Sequence, residues 1–322
     1  MIINMGMSGM NSPEQTLKGL LARLLSVAPS PADSVLRLLA YARLYAAVSR
    51  LQAAGAAGRV CPDRRGHDLR AASLVRVLRE RLSRSGLPLV DKARLAAAYH
   101  DFRSEAFPFR SSGSDEVFPE AVSSLMDRYS SAAEDGVLAE ATVCRCLACY
   151  FYPDLWDDDE WACLLSGAVR RWASRLRPDG TWTGLTDVEA LERVEVMNRY
   201  SYLFLDGRFD DAVRRACGRY APLSAFHAPP GEGGGLRCLS LCQDLLLQGN
   251  ACPRDVAWAD RLAARFSGLS RLCAPQGDDA FYASSCLAVH LCESLLRLSV
   301  ADGPSVSGAP FVSKQETAGA RW

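Results

Sequence analysis

The stretch Arg177-Pro-Asp-Gly-Thr-Trp-Thr-Gly-Leu-Thr-Asp-Val-Glu-Ala-Leu-Glu-Arg-Val-Glu-Val-Met-Asn-Arg-Tyr200 joins two helical patterns through one marked turn. Pro178 fixes φ, Asp179 can bond the local backbone, and Gly180 can take a positive φ, so the three together spell a turn. Thr186 followed by Glu189 has the spacing of a capping box and predicts a helix start. A helix, a turn carrying Trp182 and a second helix follow from these residues alone, and the rest of the chain is built from joints of the same kind.

Upstream, Ser12-Pro13-Glu14-Gln15 predicts a helix start, and Leu17, Leu20, Leu21, Leu24 and Leu25 have helical spacing. Further helices are predicted from about Asp33 to Gln52, Asp68 to Arg84, Asp91 to Phe102, Pro119 to Ser131, Gly136 to Tyr152 and Asp157 to Leu176. In the Asp68–Arg84 helix, Leu69, Leu74, Val77, Leu78 and Leu82 are expected on one side. Downstream come Asp187 to Leu205, Asp210 to Tyr220, Leu236 to Gln248, Pro253 to Ser267 and Asp278 to Val300. No strand alternation is long enough to argue for a sheet. Residues 301–322, rich in Gly, Ser and Pro, form a flexible C-terminal tail behind a single domain of residues 1–300.

The more apolar helices centre near Arg43, Ala98, Leu147, Arg199, Cys242 and His290, at intervals of 43 to 55 residues. Leu241-Cys-Gln-Asp-Leu-Leu246 returns fifty residues later as Leu291-Cys-Glu-Ser-Leu-Leu296. Each apolar helix follows a shorter amphipathic one, which gives six couplets. A helical hairpin cannot bury its apolar face alone and needs stacked neighbours. The expected fold is all-α: an α/α-toroid of six helical hairpins with a repeat of about 50 residues. No terminal repeat has the polar face of a cap, which favours closure into a ring over an open solenoid.

Composition limits the function classes. The chain has 322 residues, 49% of them hydrophobic, and a formal net charge of zero. A neutral chain has no field to draw nucleic acid or an anionic membrane, so neither is an expected partner. No apolar run of transmembrane length and no basic, apolar leader is present, and the cytoplasm is the expected location. In a reducing compartment the twelve cysteines are core side chains, reactive thiols or metal ligands rather than disulfides. The segment Gly231-Glu-Gly-Gly-Gly235 lacks the Lys-Ser/Thr end and the preceding strand of a phosphate loop, and it is read as a linker or lid.

Six hairpins of this size resemble the α/α-toroid superfamily. Leu38-Leu-Ala-Tyr-Ala-Arg-Leu-Tyr45 looks like an early inner helix of lanthionine synthetase C-like proteins, and Pro178-Asp-Gly-Thr-Trp182 like a hairpin-joining loop of the superfamily. The resemblance implies a central cavity that binds or modifies a peptide or small ligand. The family's His-Gly motif and its Cys-His zinc pair have no counterpart here, so no catalytic residue is carried over, and a non-catalytic member is implied. Two alternatives stand beside it. One is a six-hairpin glycoside hydrolase using carboxylates at the rim of the ring, with Asp187, Glu189 and Glu192 at one inner-helix start and Asp278 and Asp279 at another. The other is a helical-repeat scaffold for another protein. Acids at helix starts also serve the dipole and the cap.

Polar side chains within apolar helices mark a candidate ligand cavity: His100, Asn198, Arg199, Tyr200 and His290. Tyr99-His100-Asp101 belongs to the same pattern, although neighbours on a helix point about 100° apart. No cofactor is expected. The donors that suit a metal are Cys238, Cys242, Cys286 and His290, and zinc is the ion such thiolates and imidazole would favour. Cys146 and Cys149 form a further Cys-x-x-Cys pair. The expected role of these cysteines is core packing.

Overall fold

A computed structural model describes residues 13–55, 60, 63–106, 117–131, 137–151, 159–203, 209, 211–212, 215–216 and 277–301. The described residues are helical and contain no strand, so the chain is all-α. Helices α1 (Pro13–Leu24), α2 (Val35–Ala53), α3 (Arg64–Leu82), α4 (Leu89–Ala106), α5 (Val117–Ser131), α6 (Val137–Tyr150), α7 (Asp159–Arg175) and α8 (Asp187–Leu203) follow one another, and Asp278–Ala301 is α9. The helices expected at 210–220, 236–248 and 253–267 lie wholly or mainly outside the described residues, as does the expected tail.

The joint between α7 and α8 forms as its residues dictate. Gly180 takes φ +80°. Its N–H donates to the Arg177 carbonyl at 3.0 Å, and the Arg177 N–H donates to the Thr181 carbonyl at 2.9 Å. The backbone N–H of Thr186 donates to Glu189 Oε2 at 2.7 Å while the Glu189 N–H donates to Thr186 Oγ1 at 3.3 Å, which is the reciprocal capping box. Trp182 is buried, and its indole N–H donates to the Trp172 carbonyl at 2.8 Å. The loop is thereby fastened to the last turns of α7.

Elsewhere the caps move the helix starts by a few residues. Ser34 caps α2, accepting from the Arg37 N–H at 3.2 Å. Asp63 caps α3 by accepting from the Gly66 N–H at 2.8 Å, so α3 begins one turn earlier than the apolar pattern suggests. Leu69 is 66% exposed rather than on the apolar side with Leu74. Five positions separate the two, which turns Leu69 about 140° away at 100° per residue.

Two layers result. Helices α2, α4, α6 and α8 pack successively, and α9 packs against α2. From Ala141 to Cys149 of α6 and from Ala190 to Asn198 of α8 every residue is buried. The outer helices are striped instead. Leu165, Ala168, Val169 and Trp172 make the buried edge of α7. Helix α3 packs on α2 and α4, α5 on α4 and α6, and α7 on α6 and α8, so each covers the seam between two inner helices.

Helix α1 packs against α9 rather than standing alone at the start of the chain. The first and last inner helices are also clasped directly. Arg50 of α2 donates through Nε and Nη2 to Glu293 Oε1 of α9 at 2.9 and 2.6 Å. A turn from the other end, Arg37 lies 3.5 Å from Asp278 and stacks on Phe281, whose ring also meets Tyr41 at 4.7 Å.

Candidate functional site

The apolar inner layer carries one polar seam. On α6 it consists of Thr142, Arg145 and Cys149, and on α8 of Glu192, Glu195 and Arg199. On α4 it consists of Arg94 and Asp101. These are i, i+3, i+7 series, so each set stands on one face of its helix. The fifty-residue repeat brings equivalent positions level. Thr142 Oγ1 donates to Glu192 at 2.5 Å, fifty positions on. Arg145 Nε lies 3.1 Å from Glu195, again fifty positions on. Arg199 Nη1 donates to the Cys149 sulfur at 3.4 Å, fifty positions back.

Longer side chains span two repeats. Arg94 Nη2 donates to Glu192 at 3.1 Å. Arg199 forks onto Asp101, with Nη1 at 3.2 Å and Nη2 at 3.0 Å, while its Nε donates to Glu195 at 2.5 Å. The seam faces away from the outer layer. Glu140, at the other end of α6, takes hydrogen bonds from Arg171 and Trp172 of α7. Nine residues separate Glu140 from Cys149, which is about 180° around a helix at 100° per residue.

The seam is closed at Glu192 and Glu195, both fully buried, and opens toward the C-terminal ends of the three helices, where the Asp101 side chain is 34% exposed. There His100 Nδ1 lies 3.6 Å from Asp101, and the His100 ring rests on Phe118. Arg145 Nη2 approaches Asp101 to 3.6 Å.

Electrostatics follow from this geometry. Burial opposes the charged form of Asp101, yet Arg199, the hydrogen bond from His100 and Arg145 outweigh it and hold the carboxyl well below its usual range. Burial likewise opposes ionisation of Glu195, and Arg145 with Arg199 prevail and lower it. For His100, burial favours the neutral ring, but hydrogen bonds with Asp101 and Cys149 raise its pKa to about 10. Arg199, desolvated yet flanked by Asp101 and Glu195, is raised well above its ordinary value. Burial pushes up the thiols of Cys144 and Cys146, the other two cysteines of α6.

Of the residues expected to line a cavity, His100 and Arg199 meet at Asp101. Asn198 is buried on α8, and Tyr200 is buried with its ring edge-on to Phe209. His290 lies on α9, and its side chain is outside the described residues. Among the expected rim acids, Glu189 is consumed by the capping box and Asp278 pairs with Arg37. Asp187 begins α8 and Asp279 is the second residue of α9, and their side chains lie outside the described residues.

Cys286 is buried on α9, while Cys238 and Cys242 lie outside the described residues. Among the described residues, the group whose atoms could hold a metal is a different one: His100, Asp101 and Cys149, within 4.8 Å of one another. Two guanidiniums already occupy Asp101, and a divalent ion entering there would have to displace cations first.

Sequence reasoning missed Arg94, Thr142, Arg145 and Glu195, and it assigned Glu192 to the rim, whereas Glu192 is fully buried in the seam. A signal existed. Polar residues in apolar helices, aligned at the repeat spacing, pick out 142 with 192, 145 with 195, and 149 with 199. No helix of the described residues is long and apolar enough to cross a membrane. Comparison of the chain with family models, curated proteins and solved structures gives no match.

Proposed function

We propose that the chain closes as a six-hairpin α/α-toroid similar to the lanthionine synthetase C-like proteins, and that it holds a peptide or small ligand where the polar seam opens. The observation that carries this is the convergence of Asp101, Arg145, Glu195 and Arg199 from three successive inner helices. A few convergent polar groups with displaced pKa values in apolar surroundings are what a ligand site requires. The α9 contacts with α1 and α2 support closure, because they join the two ends of the repeat. The unbridged cysteines Cys144, Cys146, Cys149, Cys286 and Cys292 suit a reducing compartment and support action in the cytoplasm.

The test is selection of displayed random peptides on the immobilised protein. Peptides that bind the folded protein and release from the His100→Gln and Arg199→Lys variants support the reading. Enrichment no greater than on urea-unfolded protein would refute it. The site as read works without a metal. Elemental analysis under reducing conditions showing one zinc per chain, lost in Cys149→Ser, would overturn that part and assign the ion to the His100 cluster.

A further inference from the structure

Cys149 differs from its neighbours on α6. Its sulfur meets three polar groups from two other helices. It lies within 4.8 Å of a ring nitrogen of His100, 3.7 Å from Asp101 Oδ1 and 3.4 Å from Arg199 Nη1. His100 in turn has Asp101 at 3.6 Å from Nδ1. A thiol, an imidazolium beside it, a carboxylate that holds the imidazolium and a fixed N–H donor beside the sulfur are the parts of an activated thiol nucleophile.

We propose that Cys149 is a nucleophile toward activated acyl groups, esters or thioesters, with the His100 imidazolium as the proton donor to the leaving group. The Cys149 thiol gives up its proton to water, and the thiolate, held beside the His100 imidazolium and the Arg199 guanidinium, attacks the carbonyl carbon. The new S–C bond forms as the bond to the leaving oxygen or sulfur breaks, and the leaving group departs with that electron pair, taking the proton from His100. Asp101 is a positioning residue that orients the ring. The Arg199 guanidinium lies where negative charge develops on the carbonyl oxygen. Cys149 itself is buried, so an acyl compound reaches it past His100 and Asp101, which are 18% and 34% exposed. The raised pKa of His100 agrees with an imidazolium standing beside sulfur and carboxylate. The inference does not depend on the peptide reading, because a small ester tests it directly.

The experiment is reaction of the full chain with p-nitrophenyl acetate, followed by nitrophenolate absorbance and by site-resolved mass spectrometry of acetylated cysteines. The exposed Cys163 serves as the internal reference for an ordinary thiol. The expected result is acetylation of Cys149 at least about tenfold faster than Cys163, and slowed about a hundredfold in His100→Gln, the scale of one positioned general acid. Cys149→Ser should abolish the fast phase of nitrophenolate release. Acetylation of Cys163 with Cys149 untouched in the native protein would overturn the proposal. So would a His100→Gln protein of unchanged circular dichroism that acetylates Cys149 at the native rate. If His100→Gln does not fold, the Cys149 to Cys163 ratio in the native chain still decides.

Discussion

Replacing Glu195 with Gln tests whether the polar seam is built as described. Glu195 is fully buried and holds two guanidiniums, Arg199 at 2.5 Å and Arg145 at 3.1 Å. Breaking a buried ion pair by removing one partner costs roughly 3–5 kcal/mol, because the other charge stays in low dielectric. Part of that is offset here, since Asp101 remains 3.0 Å from Arg199 and 3.6 Å from Arg145. The expected loss is therefore about 3 kcal/mol, at the lower end of that range.

Equilibrium urea unfolding, followed by the fluorescence of the buried Trp172 and Trp182, measures it, provided the slope against urea is unchanged. Adding Arg145→Met removes the stranded cation. The double variant should then lose less than the two single losses added together, by at least about 1 kcal/mol. A single-variant loss under about 1 kcal/mol, or strict additivity in the double, would refute the claim that these groups are paired in the core.

Three further outcomes follow from the same structure. His100 has a folded pKa of about 10, above its ordinary value of 6.5. Its stabilising contribution is therefore complete below about pH 6.5 and lost as pH rises through 10, whereas Asp101 and Glu195, both lowered, lose theirs as pH falls through the acid range. Urea midpoints of the native chain and His100→Gln should converge between pH 7 and 10, and a gap that widens over that interval contradicts the assignment. Arg50→Ala should strand Glu293, whose side chain is 15% exposed, and cost about 1–2 kcal/mol, with faster hydrogen exchange in α9; exchange confined to α3 would place the clasp elsewhere. Thr186→Ala should cost about 1 kcal/mol through the lost cap, read from the same urea transition, and no change would mean the capping box contributes nothing to α8.

Much of the fold was legible because it rests on local chemistry. Thr186 and Glu189 name a helix start in the sequence and form it in the structure, and Pro178-Asp179-Gly180 makes the turn it spells. The alternation of striped and apolar helices survives as an outer and an inner layer. The site was legible only in part. His100 and Arg199 stood out as polar residues in apolar helices, but their common partner Asp101 is set by the axial offset between α4 and α8, which no single helix records. The rim acids misled for a local reason: a carboxylate at a helix start is satisfied first by the nearest N–H or cation, as Glu189 and Asp278 are. Leu69 fell on the wrong side because five positions separate it from Leu74, about 140° around one continuous helix.

The seam also has work that apolar residues of the same size cannot do. A buried ion pair adds little net stability over a well-packed apolar pair, but it penalises every arrangement that leaves a charge unmatched. Inner helices rich in Ala and Leu have nearly featureless sides and can slide past one another by one turn, about 5.4 Å, with little change in apolar contact. The seam removes that freedom. Moving α8 by one turn one way would set Arg199 against Arg145, two cations in low dielectric. Moving it the other way would set Glu195 against Cys149, leaving Arg145 to Glu192 and both Asp101 and Arg94 without their present partners. Only the observed offset pairs Arg94 with Glu192, Arg145 with Glu195 and Asp101 with Arg199 at once. The same offset is what places Arg199 beside Cys149, so the device that fixes helix register also assembles the reactive end of the site.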